Sequence, residues 1–185
     1  MDYVALLRGV NVGPSRRVSM EALRRALAGL GLARVRTLQQ SGNALFASDE
    51  PEAALVPRIE AALAAAFGFP VPVVLRTAAE IAAALADVPF TREEIDAAEA
   101  AASGISYYVG FLGAPPTDAD RAVLAAAAEG SGDRFAVVGR DLHLLFRDTI
   151  RTSKLATRFD RLSSPATTRS GGTVARFAAA FEERT

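Results

Sequence analysis

RVRTLQQSGNALFA, residues 34–47, decides the fold. Arg34 to Leu38 and Ala44 to Ala47 are two short runs that suit strands. Between them Gln39-Gln40-Ser41-Gly42-Asn43 is turn chemistry, since Gly42 and Asn43 accept the positive φ that tight hairpins demand. Upstream, Met20, Leu23, Leu27 and Leu30 recur at i, i+3, i+7 and i+10, one apolar face of a helix. Ser19 is its expected N-cap and Gly31 its stop. Before that, Asp2 to Leu7 reads as a strand ended by Gly9. Downstream, Ile59, Leu63 and Phe67 mark a second helix, with Pro57 in its first turn or kinking it. Pro72 to Arg76 is a fourth strand. Residues 1–76 therefore read β-α-β-β-α-β, the ferredoxin-like order.

Residues 77–103 are alanine-rich and mostly helical. One arginine stands there against six carboxylates, a net charge of −5, which describes a connector with a solvated acidic face. The order then repeats. Ile105 to Leu112 is a strand, and Thr117 or Asp118 caps a helix running to Ala128. Arg134 to Val138 and Leu142 to Phe146 form a hairpin across Gly139-Arg140-Asp141. Ser153 caps a helix holding Leu155, Phe159 and Leu162, and Ala166 to Arg169 is a final strand. Gly171-Gly172 breaks that strand ahead of a last helix carrying Val174, Phe177 and Phe181. The expected fold is α+β: two tandem ferredoxin-like βαββαβ subdomains (1–76 and 104–185), a helical acidic connector (77–103) and an extra C-terminal helix. No residue-level repeat is evident between the halves. A single mixed sheet shared by both is the alternative.

Composition narrows the chemistry. The 185 residues contain no cysteine and one histidine, which excludes disulfides, thiolate nucleophiles and histidine-cluster metal sites. Neither a metal nor a cofactor is expected. Lys+Arg and Asp+Glu are both 21, so a strongly basic nucleic-acid binder is not the default. Lys154 is the one lysine, and the arginine and alanine excess looks like GC-rich coding. With neither a secretory leader nor a run of roughly 20 apolar residues, the expectation is a cytoplasmic bacterial protein without membrane contact.

Two polar clusters follow from the strand order. The first strand's exit loop and the first hairpin share one end of a sheet. That brings Arg8, Asn11, Ser41 and Asn43 together, with glycine-permitted N–H groups suited to an oxyanion. In the second half the helix start at Ser153-Lys154 and the strand end at Thr168-Arg169 face one way. Residues 134–169 carry eight bases against three acids, a net +5. Each feature also has a plain structural reading: turn glycines, a turn hydroxyl, a helix cap. Arg8 to Gly13 matches neither G-x-x-x-x-G-K-[ST] nor G-x-G-x-x-G. His143, between Leu142 and Leu144, reads as a strand residue rather than a base, and no catalytic residue is assigned.

YVALLRGVNVG (residues 3–13) together with Gln40-Ser41-Gly42-Asn43 resembles the bacterial family catalogued as domain of unknown function 1697. Asp133-Arg134-Phe135, Ser153-Lys154-Leu155 and Ala166-Thr167-Thr168-Arg169 are similar to its later blocks. The resemblance implies an α+β protein with ferredoxin-like subdomains and supplies no substrate. One departure stands out: where the family usually continues Asn-Trp-Asn-Thr-Val, this chain has Ser170-Gly171-Gly172-Thr173-Val174. The glycines there would suit a backbone anion nest. The leading expectation is a binding protein for an anionic, phosphate-bearing partner: a small molecule such as a nucleotide, or a nucleic-acid backbone. The alternatives are an enzyme on a phosphorylated substrate and an interaction module that forms a homodimer.

Overall fold

A computed structural model describes residues 1–183 apart from Pro14 and Ser103. Ser103, the last residue of the expected connector, lies outside the described residues. The chain divides into two compact units, Met1–Ile81 together with the chain from Phe177, and Ala82–Arg176. Residues 82–102 thus group with the second unit, and the end of the last helix with the first. Among the described residues the fold is α+β, with seven helices and two four-stranded antiparallel sheets.

In the first unit, β1 (Asp2–Leu7) lies between β3 (Asn43–Ala47) and β4 (Val73–Thr77), and β2 (Ala33–Leu38) is an edge. Every pairing is antiparallel. Helices α1 (Met20–Ala28) and α2 (Glu52–Phe67) cover one face. Leu23, Leu27, Leu55, Ile59 and Leu63 pack there on Tyr3, Ala5, Leu7, Ala44, Phe46 and Leu75. The opposite face is buried as well: Val4, Leu6, Leu45 and Val74 are at most 1% exposed. This is why β1 reads as an unbroken apolar run rather than an alternating one. Ser19 caps α1 as expected, its Oγ accepting from the Ala22 N–H at 3.1 Å. Pro57 lies inside α2, past the first turn, and the helix runs through it.

The second unit begins within α3 (Ala78–Ala86), and α4 (Arg92–Ala102) precedes its sheet. β5 (Tyr107–Leu112) lies between β7 (Asp141–Leu145) and β8 (Ala166–Ser170), with β6 (Arg134–Val138) at the edge. Helices α5 (Asp118–Ala128) and α6 (Lys154–Phe159) cover one face through Leu124, Leu155 and Phe159. Gly110 belongs to this contact: a Cβ there would lie 2.4 Å from Phe159 Cε2. The last helix, α7 (Gly171–Glu182), starts at Gly171 itself, so the glycine pair is the first helical turn and not a separate nest.

Strand register reveals a repeat that the sequence reading misses. Val4 pairs with Arg76 and Leu45 in the first sheet; Val109 pairs with Arg169 and His143 in the second. Tyr3-Val4-Ala5-Leu6-Leu7 thereby superposes on Tyr108-Val109-Gly110-Phe111-Leu112. Arg76-Thr77 falls on Arg169-Ser170, and Leu45 on His143. The match is short, and the second hairpin is two residues tighter, so no fixed sequence spacing displays it.

Candidate functional site

At one end of the first sheet, residues 8–13 leave β1 and meet the β2–β3 turn. Their junction is held by backbone and amide bonds. Leu7 N–H donates to the Gly42 carbonyl at 2.9 Å. Asn11, in left-handed backbone at φ 57, donates Nδ2 to the carbonyls of Gln40 (2.7 Å) and Val18 (3.0 Å). Its Oδ1 accepts from the Val18 N–H at 2.9 Å. Gly42 has φ 72, and a Cβ there would lie 2.5 Å from Val10 Cγ2 and 3.0 Å from Leu7 Cβ. A side chain is therefore opposed twice, by conformation and by space. The opening block and the hairpin block seen in the sequence are two halves of one clasp.

A cavity of about 910 Å³ opens beside the clasp, lined by residues 10–13, Arg17 and residues 39–41. Arg17 is exposed, and its side chain meets no partner among the described residues. The N–H groups of Val12 and Gly13 also make no hydrogen bond to any described residue. Residues 8–20 contain three arginines and no acid. Of the four residues expected in this cluster, Asn11 and Ser41 line this cavity. Arg8 lines its neighbour, of about 700 Å³, with Arg16, Phe69 and Pro70. There Arg16 lies over the Phe69 ring, 5.1 Å from its centre, and donates to the Pro70 carbonyl at 2.5 Å. Asn43 is fully buried, giving Nδ2 to Ser41 Oγ at 2.9 Å and to the Leu38 carbonyl at 3.2 Å. It shapes the turn instead of facing a ligand.

The second expected cluster does not assemble. Ser153 caps α6, its Oγ accepting from the Ala156 N–H at 3.0 Å and donating to Asp133 Oδ2 at 2.6 Å. Asp133 Oδ1 accepts from the Arg147 N–H at 3.0 Å. This joins the Asp133 and Ser153 blocks, so a pair of short motifs is one structural tie. Lys154 is exposed beside it. Thr168, opposite Gly110, is on the helix-covered side of the sheet and half-buried. Arg169 is on the other side, because successive strand residues alternate. Its Nη1 donates to Thr167 Oγ1 and to the Thr168 carbonyl, both at 2.7 Å. Burial pulls its guanidinium down to about 10, so it stays charged at neutral pH. Arg169 and Lys154 face opposite sides of one sheet, and Arg169 lines neither of the two cavities described beside Lys154.

His143 is a core residue, fully buried, with Nδ1 2.7 Å from the Tyr107 hydroxyl. Burial pushes that phenol up to about 12 and pulls the imidazole below its ordinary value, with the Asp87 carboxylate opposing the latter. Tyr107 also accounts for the glycine at the sequence's departure from the family pattern. A Cβ on Gly171 would lie 2.4 Å from Tyr107 Cδ1, so the phenol ring occupies the space a larger side chain would need. Sequence reasoning passed over Arg17, Arg158 and Arg161, and met Asp133 only as part of a family block. For Arg17 the available signal is the acid-free run around it.

The chain belongs to the family described as Protein of unknown function (DUF1697), whose model matches residues 1–143. The match covers the opening block, the hairpin and the Asp133 block, and ends before Ser153. The conserved bacterial protein SP0830 from Streptococcus pneumoniae has a similar structure, with a TM-score of 0.71 over 98% of each chain. Its sequence is 21% identical, so this likeness speaks to the fold alone. No curated protein matches the chain. Among the described residues no helix is long and apolar enough to cross a membrane.

Proposed function

We propose that this protein binds a phosphate-bearing ligand in the cavity that residues 10–13 and Arg17 line with the β2–β3 turn. The observation that carries the reading is the cavity beside Asn11: an unpaired guanidinium, two uncommitted N–H groups and a turn hydroxyl line it, and no carboxylate does. Left-handed backbone at Gly9, Asn11 and Gly13 curls the loop; the Asn11 N–H is spent on the Arg16 carbonyl at 2.8 Å, and the Val12 and Gly13 N–H groups that follow it are the ones suited to an oxyanion. Asn11 holds the loop, Arg17 supplies charge at the cavity, and Arg8 with Arg16 extends the positive field next door. We read each half as ferredoxin-like, a reading supported by the strand orders β2-β3-β1-β4 and β6-β7-β5-β8.

A thermal-shift screen tests this, using inorganic phosphate, nucleotides, sugar phosphates and short RNA and DNA at low and moderate salt. Ligand at 100 Kd adds about 2.7 kcal/mol, a shift of several degrees. The shift is expected in the parent and in Lys154→Ala, and is lost in Arg8→Ala/Arg17→Ala, whose cations are not part of the core. Equal shifts in the double variant, or a flat screen of the parent, would reject the site. A response that collapses with salt identifies a nucleic-acid backbone, and one that persists a small ligand.

A further inference from the structure

We propose that the groove between α5 and α6 docks an acidic amphipathic helix of a partner protein. The groove holds about 610 Å³. Its floor is Val123, Ala126 and Ala127, because α5 turns Leu124 into the core and leaves small apolar side chains outward. Val123 is 45% exposed, one of few large apolar side chains so placed. The rim is Lys154, Arg158 and Arg161. The first two are four apart on α6, hence on one face, and Arg161 follows just past its end.

Charge decides the occupant. None of these three cations meets a carboxylate or a side-chain hydrogen-bond partner among the described residues. By contrast, Arg25, Arg34, Arg36, Arg58, Arg92 and Arg134 are each ion-paired. The groove's lining contains no acid; Glu129, Asp133 and Asp148 line a smaller adjoining cavity that shares Ala126, Ala127 and Lys154 with it, while Arg158 and Arg161 line the groove alone. Three like charges beside an apolar trough repel one another until an anionic partner neutralises them. An amphipathic helix meets both demands at once, its apolar ridge filling the trough and its carboxylates reaching the rim. The aliphatic stems of Lys154 and the arginines widen the apolar contact. A bilayer surface would leave the concave floor unfilled. A nucleic acid would find three cations but no aromatic lining on which to stack.

The test uses the full chain with labelled methyl groups, titrated with a synthetic helical peptide of about 18 residues. The peptide carries leucines at i, i+3, i+4 and i+7 and glutamates elsewhere. The methyl signals of Val123, Ala126 and Ala127 are expected to move and saturate. A scrambled peptide of the same composition should bind at least about tenfold more weakly, the loss of roughly 1.4 kcal/mol of apolar contact. Lys154→Glu/Arg158→Glu/Arg161→Glu should lose the glutamate peptide and take up its lysine counterpart. If that variant fails to fold, Arg158→Gln/Arg161→Gln should show at least a several-fold weakening. Absence of saturable shifts, shifts confined to other methyls, or equal binding of the scrambled peptide would overturn the proposal. So would anionic vesicles or a single-stranded oligonucleotide moving the same methyls at lower concentration.

Discussion

Leu45 and His143 occupy equivalent register positions in the two sheets, one aliphatic and one titratable, and both fully buried. His143 is satisfied at Nδ1 by Tyr107, while Nε2 is buried without a hydrogen-bond partner among the described residues. Charging the ring would bury a cation and a second unmatched donor. The folded protein therefore holds His143 below its ordinary value near 6.5, and the unfolded chain takes the proton first. Stability is fully present above about pH 6.5 and is lost as pH falls below it, with a slope of at most about 1.4 kcal/mol per pH unit. The double variant His143→Leu/Tyr107→Phe should flatten this part of the profile. Urea denaturation between pH 7 and pH 5 checks it; parallel profiles for parent and variant would refute a neutral buried imidazole.

At the scale of elements, the second unit relies on caps that reach across the chain. Thr117 and Asp120 form a reciprocal capping box at the start of α5. Asp120 reaches further, its Oδ2 accepting from Ser163 Oγ at 2.6 Å and its Oδ1 from the Ser163 N–H at 3.1 Å. These bonds, those from Ser163 foremost, hold its carboxyl well below the usual carboxylate range. The tie between Ser153 and Asp133 does the same for α6, a helix of six residues that cannot persist by propensity alone. Ser153→Ala removes a cap worth about 1 kcal/mol and strands a buried carboxylate oxygen, so a loss on the order of 2 kcal/mol is expected. A double-mutant cycle of Ser153→Ala with Asp133→Ala should show coupling of about 1 kcal/mol or more. Additive losses would mean that the two blocks do not act as one tie. Here the sequence was legible in part. Ser19, Thr117 and Ser153 are readable as caps because N-cap chemistry is local, whereas Asp133 and Ser163 are not, being far along the chain from the groups they bond.

For the whole molecule, sheet position sets where stability resides. β1 and β3 are central in the first sheet, β5 and β7 in the second, while β2 and β6 have one neighbour each. β2 is further interrupted by a register shift between Ala33 and Arg36, with Arg34 at φ 54. Amide exchange followed by mass spectrometry should find β1 and β5 at least about tenfold slower than β2 and β6. Equal protection of β2 and β1 would show that edge and centre open together.

Local chemistry in the sequence was enough for the order of elements: apolar spacing marked the helices, glycine and asparagine the first hairpin, serine and threonine the caps. It was enough as well to place the exit of β1 beside that hairpin, because antiparallel pairing puts both at one sheet end. Only tertiary structure decided which polar residues are consumed in building that end and which stay open to a ligand. Asn11 and Asn43 look like binding groups in the sequence, yet their amides are spent on backbone carbonyls and on Ser41. Arg169 looks like a partner for Lys154, yet strand alternation sends it to the other face. The repeat itself emerged only from register, since pairing compares residues through space and insertions in the turns erase their spacing along the chain.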